Sequence, residues 1–412
     1  MADVSISIYH DTRRKSGKKL FPVKLRVYYR GETRLYPLGL RLSEEDFVNS
    51  YQTLKPKGDR YKELKIKLVS HETKANDIKA SINVFSFERF EKKLLQPTGS
   101  RNQVFYHYEQ TIKKLKQQGR IGTASNYAMS CRSLQQFLLT QNRKQKLAFE
   151  DITVYFLNQF EQWMLEKGNS ISTVGIYLRP LRTLFNAAIE EGEVDKDFYP
   201  FSKRKYQIPA GRNTKKALSK EDLKTLFYFP TDDPFLKKAR AHWFFSYSCS
   251  GMNTRDIAEL RYKNIHNDIL SFVRNKTRNT TRSQQKPILV VLTPYAQEVI
   301  QTYGNKKVNG DTYVFPILND GMTAEERYRA AQAYTRFVNQ HIKRLAKLAG
   351  ITQEISTYWA RHSFTTMAVR NGASLEFVQE SLGHNSLQTT KSYFAGFADA
   401  TKRTIANKLM DF

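Results

Sequence analysis

A chain of 412 residues exceeds what one hydrophobic core usually organises, so two or three domains are expected, each able to bury enough apolar surface to fold without covalent staples. Its cysteines, Cys131 and Cys249, lie far apart without a CxxC partner, which argues against a disulfide frame or thiolate metal site and for a reducing compartment. "MADVSISIYHDTRRK" has no secretory pattern and no run of about eighteen apolar residues follows, so the expectation is a soluble cytoplasmic protein with no membrane partner; 67 Lys+Arg against 39 Asp+Glu, a formal net charge of +28, call for a polyanion, nucleic acid ahead of anionic lipid.

The first segment, to about residue 95, opens with strand patterning. In "FPVKLRVYYRGETRLYPLGLRL" Val23, Leu25, Val27 and Tyr29 share one parity and Lys24, Arg26, Tyr28 and Arg30 the other, as a half-buried strand requires. Gly31 marks a turn into a second strand over Thr33 to Leu42. The basic face, with Lys24, Arg26 and Arg30, suits a DNA groove, although a solvated sheet face explains the pattern nearly as well. A Lys-rich helical stretch, "DRYKELKIKLVSHETKANDIKASINVF", completes the module.

After "QPTGS" the pattern turns helical, with four helices expected at about 102 to 118, 124 to 141, 151 to 167 and 171 to 191, stopped by Gly119, Gly168 and Gly192. Phe137, Phe156, Phe160, Trp163 and Phe185 recur at helical spacing and are expected to pack a core. The stretch "FSKRKYQIPAGRNTKKALSKEDL" reads as a basic linker, 201–216, whose Lys203, Arg204, Lys205 and Arg212 could follow a phosphate backbone or be simply solvated. Ser219 with Asp222 begins the next helix. Beyond it, "ILSFVRNKTRNTTRSQQKPILVVLTP" reads as strand, polar turn, strand, with Lys276 at the end of the first strand, and helices follow at about 294 to 303, 324 to 349, 360 to 371, 374 to 382, 387 to 394 and 398 to 410.

From Arg361 the chain reads "RHSFTTMAVRNGASLEFVQESLGHNSLQTTKSYF": an Arg-His-Ser opening, a Leu-Gly-His and a tyrosine nine residues beyond that histidine. A tyrosine hydroxyl can attack a phosphodiester and store its bond energy in a covalent intermediate. The reaction also needs donors on the non-bridging oxygens and an acid for the leaving 5′ oxygen. Taken singly, Tyr393 could be a core aromatic, Arg361 an ion-pair partner, His384 a helix cap and Lys276 one cation among many. Jointly, the spacing resembles the tyrosine recombinases, the integrase family of DNA strand-exchange enzymes, and most closely those of conjugative transposons and other mobile elements of Bacteroides-type bacteria.

The resemblance implies Tyr393 as nucleophile, Arg361 and His384 as phosphate ligands, and Lys276 as general acid, with no metal and no cofactor. Two positions depart from the family pattern. Asn253, in "GMNTRDIAELRYKNI", stands where the first catalytic arginine is usual, and Tyr358, in "TYWARHSF", stands where histidine is usual. Arg255 lies two residues along a helix from Asn253, a rotation of about 200°, which points it away. Arg240 on the preceding helix is the better substitute, with Arg278 on the hairpin as another. These departures also fit a catalytically impaired relative that binds DNA as an accessory factor, and phosphotyrosine chemistry without partner exchange would suit a topoisomerase.

The implied fold is multidomain: a small α+β N-terminal arm-binding domain (1–98), an all-α SAM-like core-binding domain (101–200) and a mostly α catalytic domain with a small β-hairpin or sheet (217–412). The implied partners are double-stranded DNA at core and arm-type sites, sister copies forming a tetramer on DNA from free monomers, and host DNA-bending or excision factors, all at the bacterial nucleoid. The terminal "ADATKRTIANKLMDF" would be a short docking helix.

Overall fold

The computed structural model describes residues 4–13, 19–82, 84–95, 102–141, 146–211, 216–276, 286–396 and 399–408. The backbone divides into two units, residues 1–111 with 127–208 and residues 112–126 with 209–412. Arg212 and Arg278 lie outside the described residues.

The N-terminal segment is an antiparallel sheet of three strands in the order β1 (Ser5–His10), β2 (Phe21–Tyr29) and β3 (Glu32–Leu42). Val23, Leu25 and Val27 are buried as their parity requires, and they face α1 (Glu44–Phe47), α2 (Asp59–Ala80) and α3 (Phe87–Leu94) in a cluster drawn only from residues between Val4 and Leu94. The sequence pattern did not reveal β1 or α3. On the opposite face Arg26 donates to the Ser7 hydroxyl and lies over the Tyr9 ring, while Arg30, in the turn after β2, lies over Tyr29, whose ring packs on the core side. Lys24 departs from the expected basic face: its ammonium donates to Asp11 at 2.6 Å, so its charge is spent within the fold.

Four helices follow, α4 (Val104–Gln117), α5 (Ile121–Thr140), α6 (Val154–Glu166) and α7 (Ile171–Glu190). Thr153 and Ser170 cap α6 and α7 by accepting from backbone N–H groups three residues on. Phe137, Phe156, Phe160 and Phe185 are buried, as helical spacing predicts, while Trp163 is only half-buried beneath the ammonium of Lys167. The basic stretch is not a free tether from its start. Phe201 and Tyr206 are buried, Tyr206 donates to Glu161, and Lys205 donates to the Tyr199 carbonyl, so two aromatic anchors tie residues 201–206 to the helices. Lys203 and Arg204 remain exposed.

The second unit contains α8 (Lys220–Tyr228), α9 (Pro234–Ser248), α10 (Thr254–Ala258), a three-stranded antiparallel sheet, and six further helices among the described residues. The sheet is β4 (Ile265–His266), β5 (Ile269–Phe272) and β6 (Ile288–Val291). The helices are α11 (Pro294–Tyr303), α12 (Ala324–Leu348), α13 (Thr357–Arg370), α14 (Leu375–Leu382), α15 (Leu387–Lys391) and α16 (Asp399–Lys408). The Ser219 hydroxyl caps α8 through the Asp222 N–H, as its spacing predicts. Helix α9 runs through the core, with Trp243 and Phe245 fully buried, and the Trp243 indole donates to the Ser356 carbonyl just ahead of α13. That bond and the Asn339 cap on the Thr357 N–H fix where α13 begins. No described helix is long and apolar enough to cross a membrane.

Candidate active site

Helix α13 buries a polar face. Arg361, His362, Ser363, Thr365 and Thr366 are all inaccessible, which is unusual enough for such residues to demand partners. Arg361 donates through Nη1 to the Gly251 carbonyl at 3.0 Å, and through Nη2 to the Leu382 carbonyl at 2.6 Å and to His384 Nε2 at 3.1 Å. Its Nε–H has no partner among the described residues. Burial, and then the neighbouring Arg274, lower its pKa to about 10, so it stays cationic at neutral pH.

Gly251 permits this seat. A Cβ there would sit 2.6 Å from the Arg361 Cα, and the residue has φ of 66°. Gly251→Ala is therefore expected to cost about 2–4 kcal/mol, from left-handed strain added to overpacking. A urea midpoint within error of wild type would contradict this.

His384 follows the left-handed cap of α14 at Gly383. Its Nδ1–H donates to the Thr390 hydroxyl at 3.1 Å, because Nε2 accepts from Arg361. Burial, then Arg361 and Arg274, push its pKa down to about 3. The imidazole is thus neutral and, in this structure, its Nε2 is engaged with Arg361, whereas the resemblance implies His384 as a phosphate ligand.

Tyr393 lies two residues past the end of α15, in a turn and not inside the expected helix. Its ring stacks on His362 at 4.6 Å and approaches His384 at 5.0 Å, with the Arg361 guanidinium 5.6 Å from its centroid. Its hydroxyl shares a 2.5 Å hydrogen bond with the Tyr358 hydroxyl. Burial and that bond raise the Tyr358 pKa, so its hydroxyl stays protonated at neutral pH. The fold thus gathers Arg361, His384, Tyr393 and Tyr358 from segments that the sequence separates.

Arg240 does not join them. Its guanidinium donates to the Phe229 carbonyl and lines a cleft with Tyr295 and Phe227, because its side of α9 faces α8 and α11. Arg255 pairs with Glu259 on the surface, as the helical rotation predicts. Asn253 caps α10 without using its side chain. Lys276 is exposed in a turn four residues beyond β5, and its charge is felt at His384.

Arg274, outside the sequence-predicted set, is buried beside this group. Its Cδ lies 3.8 Å from where a Gly383 Cβ would be, its Nε–H is buried without a partner among the described residues, and its charge acts on Arg361, His384 and Tyr358. Buried Asp256 accepts from the Asn275 N–H at 2.9 Å; burial raises its pKa, while that bond and the charges of Arg274 and Arg361 work against the rise. Strand parity carried a signal: Arg274 lies two residues past Phe272 and four past buried Leu270, on the inward side.

The phage integrase family model matches residues 216–399, and the model of the phage integrase SAM-like domain matches residues 103–208. The chain is a tyrosine recombinase of the phage integrase family. The recombinase is 26% identical over 279 residues to the tyrosine recombinase XerD of Proteus mirabilis, spanning 66% of this chain and 82% of that protein. It is 28% identical over 154 residues to XerC of Syntrophus aciditrophicus strain SB, a match covering 35% of this chain and 49%, about half, of that relative. In fold it is similar to the Tn1549 transposon integrase solved with transposon right end DNA, at TM-score 0.52 and 16% identity over 75% of this chain and 99% of that one. A lambda integrase dimer bound to a core site gives TM-score 0.51 and 14% identity over 71% and 95%.

Proposed function

We propose that this recombinase cuts and rejoins double-stranded DNA through a 3′-phosphotyrosyl link on Tyr393, integrating or excising a mobile element. One observation carries the reading: the Tyr393 ring lies beside Arg361, which with neighbouring Arg274 forms a buried pair of guanidinium groups, each with an Nε–H that has no partner among the described residues, a pairing that suits an anion with several oxygens. In the step proposed, the Tyr393 oxygen bonds to phosphorus and loses its proton to solvent past Tyr358. The bond from phosphorus to the 5′ oxygen breaks, and Lys276 protonates that oxygen. The arginines hold the non-bridging oxygens as charge shifts between them. His384 fixes Arg361 in register.

The net charge of +28, and the DNA in the solved relatives, support double-stranded DNA as the partner. Arg26 on the sheet, Arg30 in the turn between β2 and β3, and Lys203 and Arg204 beyond α7 are exposed and available to phosphates. Arm-type recognition by residues 1–98, core-site recognition by the helical segment, a tetramer assembled on DNA from free monomers, help from bending or excision factors, and residence at the nucleoid belong to the same proposal.

The test uses nicked DNA spanning an element junction, labelled at the 5′ end of the strand to be cut. Label should travel with the protein in detergent, because the protein keeps the 3′ phosphate. Tight binding to a verified site without an adduct would instead support the accessory-factor reading. Repeats and transfer genes beside the coding region favour integration, and short inverted repeats around a promoter favour inversion.

A further inference from the structure

Residues 358, 362, 366 and 370 form one ridge of α13 at four-residue spacing, and each makes a hydrogen bond to the segment 393–396. The Tyr358 hydroxyl meets that of Tyr393. The His362 Nδ1–H donates to the Tyr393 carbonyl at 3.1 Å, and the Thr366 hydroxyl accepts from the Ala395 N–H at 3.1 Å. Arg370 donates to the Gly396 carbonyl through Nε at 3.1 Å and Nη2 at 2.9 Å. The segment therefore runs parallel to the helix and is gripped mainly by its backbone, whatever its side chains. The same helix carries Arg361, one residue before His362.

Resting on the function proposed above, we infer that His362, Thr366 and Arg370 are positioning residues that lock the segment carrying Tyr393 onto the helix that bears Arg361. One rigid element then sets the distance from the Tyr393 hydroxyl to the phosphate. Nothing in this assignment requires the three residues to touch DNA. Stacking of the His362 ring on Tyr393 adds a lateral stop, so this side chain restrains both the ring and the main chain. Tyr358 completes the ridge but also stands where a phosphate ligand is usual in the family, so the test is better placed on the other members.

Single-turnover cleavage of a nicked junction by the full-length protein tests this. His362→Ala should slow cleavage by about tenfold or more, as a displaced nucleophile does, with site affinity in a gel shift unchanged. His362→Asn, whose amide can donate from nearly the Nδ1 position, should recover most of the rate. Arg370→Ala, at an exposed side chain that the fold does not need for its core, should slow cleavage by about three- to tenfold on the same grounds. The defects should persist on DNA with sulfur at the leaving 5′ position, because that group departs without a proton. Loss of the His362→Ala defect on that substrate would make His362 an acid and overturn the assignment. So would wild-type rates in both the His362→Ala and Arg370→Ala variants, while an adduct formed by wild type would leave the function standing. If wild type forms no adduct at a verified site, both readings fall.

Discussion

Tyr393→Phe is expected to abolish covalent capture of nicked DNA while changing site affinity by no more than about twofold, since phosphate contacts elsewhere supply most of the affinity. The substitution removes one oxygen. The ring keeps its stacking on His362 and its contact with His384, so the segment 393–396 should stay on α13. The lost partner is the Tyr358 hydroxyl, and Tyr358 is 43% exposed, so water can replace the bond at a cost of about 1 kcal/mol or less. Chemistry has no such replacement, because a phenyl ring has no nucleophile. The close approach of the two phenols makes the double comparison informative. Should an adduct survive Tyr393→Phe and vanish in Tyr358→Phe, the nucleophile has been assigned to the wrong tyrosine. Burial and the bond to Tyr393 both oppose ionisation of Tyr358. Detergent gels of the two single variants and the double variant decide it.

Local periodicity made most of the architecture legible. Strand parity over Val23 to Arg30 and helical spacing of the aromatics correspond to buried faces because each reports a period that a regular backbone must satisfy. The ridge 358/362/366/370 was written in the sequence at the same spacing, yet it had no visible meaning without the segment that lies on it. Lys24 shows the opposite limit: its parity predicted exposure, but an aspartate at position 11, remote in the pattern, takes its charge. The state of His384 was likewise hidden, since its neutrality follows from burial against Arg361 and Arg274, which arrive from two other elements. Chain order favours Arg240 as the substitute arginine, because α9 precedes Asn253. Which side of a buried helix faces a site depends on packing, and the side bearing Arg240 faces Phe229.

Arg274→Ala is expected to slow strand cleavage by about 10²–10³-fold, the scale of losing one preorganised donor to a developing anion, equivalent to about 3–4 kcal/mol. Two effects accompany the loss and pull against each other. Arg274 repels Arg361, so its removal eases the burial of that guanidinium, whereas Asp256 loses one of the two cations that oppose its protonation. Their opposition predicts a modest change in stability beside a large change in rate, and a urea midpoint measured with the cleavage rate separates them. Arg274→Lys keeps the charge but not the planar fork, so it should fall between wild type and Ala. Arg240→Ala serves as the contrast: its guanidinium is occupied by a backbone carbonyl, and cleavage should stay within about threefold of wild type, the loss being one hydrogen bond's worth of stability. Asn253→Arg in the Arg274→Ala background asks whether the usual position can still supply the charge, since Asn253 starts α10 two residues after the Gly251 carbonyl that holds Arg361. Partial recovery there would mean that the cation has moved from one wall of the site to another in this chain. Wild-type cleavage by Arg274→Ala, with a large loss in Arg240→Ala, would reverse the assignment.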